Sequence, residues 1–167
     1  CNDQNPYASP GQTIDTCDEI DNDCDGIIDE DAQGDSYEPN DIDPVDLGEF
    51  DAYGNYEIEA RINRGDQDRF LFYITDAWWD DFGIDLFLQT DAMDHDFVLE
   101  LWLIEDDSGQ FVGLLDDSDM LTFGGQERIY FDGFAGIDDS GWYEAVVYKK
   151  TDGGCDANYQ LSINFGL

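Results

Sequence analysis

The chain has 167 residues, 41% hydrophobic and 14% aromatic, which suits one domain with an appendage and excludes a disordered acidic tail. It carries 42 Asp and Glu against 6 Lys and Arg, a formal net charge of −36. That charge excludes nucleic acid as a partner, because no basic patch can neutralise phosphates. No apolar run is long enough to span a bilayer as a helix.

Self-repulsion at this charge works against a compact state, so bound cations, high salt or both must offset it. The excess is mostly Asp, whose short stem suits tight turns and oxygen-rich cation cages. A salt-adapted host is the plainer account of the same composition. Four cysteines, Cys1, Cys17, Cys24 and Cys155, favour two disulfides in an extracellular chain. Cys17 and Cys24 flank a short loop and are the favoured pair, which leaves Cys1 with Cys155. A lipid on Cys1, as in a mature bacterial lipoprotein, is the competing reading.

Residues 1–36 hold little periodic apolar pattern and read as an irregular extension. Within them lies Cys17-Asp-Glu-Ile-Asp-Asn-Asp-Cys-Asp-Gly-Ile-Ile-Asp-Glu-Asp31. An EF-hand-type calcium loop takes side-chain oxygens at positions one, three and five. It takes Gly at six, a backbone carbonyl at seven and a further ligand at nine. Those positions fall on Asp21, Asp23, Asp25, Gly26, Ile27 and Asp29. Position twelve is Ala32, so Glu30 or Asp31 must substitute for the usual bidentate acid. All side-chain donors are oxygens and no His is near, which favours a hard ion such as Ca2+ over zinc. Residues Cys17 to Glu30 resemble the Asp-rich metal-binding repeat of the MopE type found in secreted bacterial proteins. That resemblance implies metal binding at the cell exterior, not a reaction.

Residues 37–44 are a turn-rich junction, and strict alternation begins near Val45. Tyr56, Ile58, Ala60 and Ile62 form one apolar row. Phe70, Phe72 and Ile74 form another, then Phe82, Ile84, Leu86 and Leu88, then Phe97, Leu99, Leu101 and Leu103. Tyr159, Leu161, Ile163 and Phe165 form the last. Polar clusters separate the runs, at Asp106–Gln110, Asp116–Asp119, Asp138–Gly141 and Asp152–Gly154. The expected fold is all-β, an antiparallel jelly-roll-like sandwich, because no amphipathic helix supplies a crossover. The expected domains are an Asp-rich extension over 1–36 and a sandwich over 37–167.

A second acidic constellation pairs Glu38, Asn40 and Asp41 with Asp66 and Asp68. Spacing leaves open whether these turns meet. The pattern YEPND, an alternating strand, then GDQDRFLF resembles the bacterial pre-peptidase C-terminal domain, to which the collagen-binding modules of clostridial collagenases are similar. The similarity extends to GWYEAVVYKK and the terminal strand NYQLSINF. It implies a jelly-roll sandwich in which Glu38, Asn40, Asp41, Asp66 and Asp68 hold calcium together. An acid that some members carry two residues before the Glu is Ser36 here, with Asp35 adjacent.

The chain has one His, His95, and no nucleophile-elbow sequence, so no enzyme is expected. Trp78 and Trp79 are neighbours that point opposite ways in extended chain, which makes them candidates for ligand contact beside a plainer role in edge packing. The expected function is a secreted, calcium-binding surface module that self-assembles into extracellular fibres through its N-terminal arm. The alternative is an accessory module that binds a polysaccharide or another extracellular protein.

Overall fold

The computed structural model describes residues 8–12, 20–26, 35–51, 53–63, 65–75, 83–90, 96–106, 113–119, 126–133, 139–150 and 157–166. Nine strands run through them: β1 Val45–Asp51, β2 Gly54–Ile62, β3 Gln67–Thr75, β4 Gly83–Thr90, β5 Phe97–Asp106, β6 Gly113–Ser118, β7 Gln126–Asp132, β8 Gly141–Lys149 and β9 Ala157–Phe165. They form a five-stranded sheet in the order β1-β3-β8-β5-β6 and a four-stranded sheet in the order β2-β9-β4-β7. Packed face to face, these make a sandwich, the architecture expected of many short alternating strands. No helix among the described residues is long and apolar enough to cross a membrane.

The alternating rows meet between the sheets. Ile58 and Ile62 of β2, Phe70, Phe72 and Ile74 of β3, and Ile84, Leu86 and Leu88 of β4 are fully excluded from solvent. Leu99 and Leu101 of β5 and Leu161 and Ile163 of β9 join them. Alternate residues of a strand share a face, so burying one row turns its neighbours outward. Tyr143 stacks on Phe72 at 6.1 Å and fills the middle of the sandwich, and its hydroxyl donates to the Asp139 carbonyl at 2.7 Å. A buried phenol needs such an acceptor.

Three details depart from the sequence reading. First, β1 pairs with β3 in parallel, whereas the other pairs are antiparallel. The crossover between them is β2, a strand of the opposite sheet, so no helix is needed. Second, Asp116 and Asp117, expected in a turn, lie in edge strand β6. Their carboxylates suit an edge that must not pair further. Third, β7 was not singled out, because its inward Glu127 breaks the apolar alternation. Glu127 is buried and accepts a 2.5 Å hydrogen bond from Ser118 Oγ.

Candidate metal centre

The Asp ladder folds tightly on itself. Asp21 Oδ1 accepts from the Cys24 amide at 2.6 Å, and Asp23 Oδ1 accepts from the Asp25 amide at 3.0 Å. These are Asx-type turns, in which the short side chain bonds the backbone just ahead of it. Gly26 has φ of 99°, a conformation that costs glycine least, and it occupies the position where the loop pattern requires Gly. Carboxylate oxygens of Asp21, Asp23 and Asp25 lie within 4.8 Å of one another. Cys24 is disulfide-bonded. The expected pairings, Cys17 with Cys24 and Cys1 with Cys155, reach residues outside those described, as do Ile27, Asp29 and Glu30. The Ser9 amide donates to the Asn22 carbonyl at 2.8 Å, so residues 8–12 lie against this loop.

The second constellation gathers where the lead-in segment 35–42 meets the start of β3. Asp68 sits at an inward position of β3 and is fully buried. Asp66 lies just before that strand, and Glu38 comes from the lead-in. Carboxylate oxygens of these three also lie within 4.8 Å of one another. Asn40 is fully buried, and neither its Oδ1 nor its Nδ2 has a hydrogen-bond partner. Its amide is near enough to Asp68 to favour the charged carboxyl, yet outside hydrogen-bonding geometry. Asp68 Oδ1 is likewise buried and unpaired, while its Oδ2 accepts from the Tyr159 hydroxyl at 2.6 Å.

The electrostatics are those of a site short of positive charge. Burial pushes Asp66 up to about 8, and the neighbouring Asp41, Asp68 and Glu38 add to this against the Asn63 amide. Burial also pushes Asp68 up to about 7, against the lowering effect of Tyr159 and Asn40. Burial raises Tyr159 well above an ordinary phenol, with the Asp68 charge contributing. Three clustered acids, together with unpaired buried oxygens on Asp68 and Asn40, fit a hard cation bound by oxygen donors.

All five residues singled out from the sequence lie in this neighbourhood, in different roles. Asp41 is exposed, and its Oδ1 accepts from the Gln67 amide at 3.1 Å. Two further participants stand beside them, Asp35, marked in the sequence only as the neighbour of Ser36, and Tyr159. Asp35 fastens the lead-in: its oxygens accept from the Tyr37 amide at 2.7 Å and from the Arg61 amide of β2 at 2.5 Å. Tyr159 caps Asp68 from β9, and its inward place in the last alternating row was the only signal for it. His95, Trp78 and Trp79 lie outside the described residues.

The profile of the family described as "Putative metal-binding motif" (Cu-binding, MopE) matches residues 1–30. No curated protein matches the chain. Among solved structures, the chain is similar to the pre-peptidase C-terminal domain of collagenase from Bacillus anthracis. That match has 16% identity and a TM-score of 0.49, and covers 75% of this chain and 100% of that one. It is similar to the Yersinia pseudotuberculosis-derived mitogen at 10% identity and a TM-score of 0.48, covering 68% of this chain and 86% of that one. It is also similar to PliG of Aeromonas hydrophila, a periplasmic lysozyme inhibitor, at 10% identity and a TM-score of 0.41, covering 72% and 98%. These values leave the chemistry of the chain to be argued from its own residues, and the match to the metal-binding motif is confined to residues 1–30.

Proposed function

We propose that this chain is a secreted, non-enzymatic binding module of the cell exterior in which calcium fastens the lead-in segment to the sandwich. The observation that carries the reading is the convergence of Glu38, Asp66 and Asp68 beside unpaired, fully buried oxygens of Asp68 and Asn40. Buried polar groups without partners cost about 1–3 kcal/mol each, so a cation in their midst changes the balance for the whole fold. Calcium suits the donor set better than copper or zinc. The donors are carboxylate and amide oxygens, which hard ions prefer, whereas copper and zinc favour imidazole and thiolate. The Asp21–Asp25 loop is the second calcium position, stapled by the Cys17–Cys24 disulfide.

Self-association through the N-terminal arm has less in its favour than the sequence implied. Part of that arm, residues 8–12, is already hydrogen-bonded to the chain's own Asp loop. The accessory-module alternative has more, because one outer face of the sandwich is aromatic and recessed.

Calcium binding followed by titration calorimetry, with Cu2+ as the comparison ion, tests this reading. Asp25→Ala should remove one class of calcium site and leave the unfolding midpoint of the sandwich in calcium unchanged. Asp68→Ala should remove the other class and lower that midpoint. A calcium stoichiometry that neither substitution alters, or tighter binding of Cu2+ at both positions, would overturn the assignment.

A further inference from the structure

The two outer faces of the sandwich differ in kind. On the four-stranded sheet Glu57 and Glu59 of β2, Asn158 and Gln160 of β9, and Gln126 and Arg128 of β7 face outward and are exposed, while Asp85 of β4 is buried beside Arg128 and Phe87 is half-buried. That is an ordinary solvated face. On the five-stranded sheet, the outward residues of β3 up to Tyr73, of β8, and of β5 up to Trp102 are buried or half-buried. They include Tyr73, Trp142, Tyr148 and Trp102, with Tyr73 and Trp142 edge to face at 5.3 Å. A depression of about 340 Å³ opens there, lined by Gln67 and Arg69 of β3, Glu144 and Val146 of β8, and Glu100, Trp102 and Ile104 of β5.

One acid of the depression is paired with a cation and the other is held by neutral donors. Arg69 pairs with Glu144 through both Nε and Nη2, the latter at 3.1 Å from Oε2. Glu100 accepts from the Trp102 indole at 2.8 Å and from the Tyr148 hydroxyl at 3.0 Å. A ligand therefore meets a half-buried indole held by its N–H, flanked by Val146 and Ile104 and by polar groups with spare lone pairs and N–H bonds, with Glu100 as the one acid that no cation compensates. An anionic ligand is repelled by the field of a chain at −36. A basic ligand would have to displace Arg69 from Glu144 or the Trp102 and Tyr148 donors from Glu100. The chemistry left is neutral and hydroxyl-rich, with one apolar face to lie on the indole, and the volume suits a small ligand.

The wall of the depression is also the wall of the metal centre. On β3, Asp68 points inward to the acids, while Gln67 and Arg69 on either side point outward to the depression. The lead-in clips to the same two residues: Asp41 accepts from the Gln67 amide, and the Ile42 carbonyl accepts from Arg69 Nη1 at 3.0 Å. A cation that draws Glu38 onto Asp66 and Asp68 thereby fixes Asp41 and Ile42 against the rim.

From this we infer that the depression on the outer face of the five-stranded sheet binds a neutral sugar ring stacked on Trp102, and that metal binding by the lead-in sets its affinity. The coupling rests on the metal reading above, whereas the sugar site does not.

The test is titration of the whole chain with chitohexaose and cellohexaose, with oligogalacturonate and oligolysine as charged comparisons, in calcium and in chelator. Binding of a neutral oligosaccharide is expected, weakened about tenfold or more by Trp102→Ala and by chelator. Gln67→Ala, which keeps the backbone bond to Asp41, should weaken it as well, and it serves should Trp102→Ala fail to fold. No binding of either neutral sugar, or binding that both substitutions leave unchanged, overturns the site. Binding of oligolysine that depends on Trp102 overturns the neutral-ligand assignment. Sugar binding that depends on Trp102 but is equal in calcium and chelator overturns the coupling. Calorimetry of calcium alone then decides separately whether the metal reading has fallen with it.

Discussion

Lowering the pH of the calcium-free protein from about 8 to about 5 should raise its unfolding midpoint, and saturating calcium should flatten or reverse that trend. The folded, metal-free protein holds Asp66 and Asp68 at about 8 and about 7, both above the ordinary Asp value of 3.8. Between the unfolded and folded values the native state binds more protons than the unfolded state, so stability falls as pH rises through that window. Calcium exchanges for those protons and favours the ionised carboxylates, so its benefit is largest at the alkaline end. At a free concentration a hundredfold above Kd, one site adds about 2.7 kcal/mol, which for a domain of this size moves the midpoint by roughly 5–10 °C. The control is Asp68→Asn, which keeps the shape and removes the charge. It should make the calcium-free protein more stable at pH 8 than the unsubstituted chain, flatten part of the pH slope, and abolish most of the response to calcium. The other acids repel one another in every variant, so only the difference made by Asp68→Asn reports this site. Scanning calorimetry across pH in calcium and in chelator supplies the measurement. Identical pH slopes for the two proteins would refute the account.

The sandwich was legible because period-two alternation is a direct consequence of burying one face of a strand. The rows beginning at Tyr56, Phe70, Phe82, Phe97 and Tyr159 supply the core of the structure, with Tyr56 half-buried at the head of its row and Phe82 outside the described residues. What alternation could not supply was partner and direction. The parallel pairing of β1 with β3 depends on β2 crossing to the opposite sheet, a long-range fact that no local pattern carries. Spacing left open whether the acids at 38–41 meet those at 66 and 68, and only the resemblance to the pre-peptidase C-terminal domain implied that they do; the structure brings Glu38, Asp66 and Asp68 together. Asp35 was legible only as the neighbour of Ser36, and Tyr159 only as a member of the last apolar row. Asp35 acts by bonding the backbone of β2, 26 residues on, and Tyr159 reaches Asp68 across 91 residues. The outer aromatic face was hidden too, because alternation turns Trp102 away from Leu101 and Leu103 but only the sheet order sets it on one face with Tyr73, Trp142 and Tyr148.

The scarcity of positive charge gives the largest single-residue effect. Six Lys and Arg serve the whole chain, yet two of them hold acids buried on the outer faces: Arg69 on Glu144 and Arg128 on Asp85. The two pairs differ in solvent access. Arg128 is 58% exposed, whereas the Arg69 side chain is 30% exposed and that of Glu144 only 3%. Water can therefore partly replace Arg128 beside Asp85, but not Arg69 over Glu144. Arg69→Ala should leave an uncompensated carboxylate in the middle of the five-stranded sheet and cost about 3–5 kcal/mol, a large part of the stability of a domain. Arg128→Ala should cost less. The double substitution Arg69→Leu with Glu144→Leu should recover most of the loss, because two packed aliphatic chains avoid the desolvation that the ion pair must overcome. Urea unfolding in saturating calcium, with the denaturant slope unchanged, gives the three values on one scale. Equal losses for Arg69→Ala and the double substitution would mean that Arg69 acts through its packing and its bond to the Ile42 carbonyl, and not by compensating Glu144. Recovery in the double substitution would separate two uses of one residue. Glu144 requires Arg69 for stability, and the lead-in segment requires it for the wall it shares with the depression.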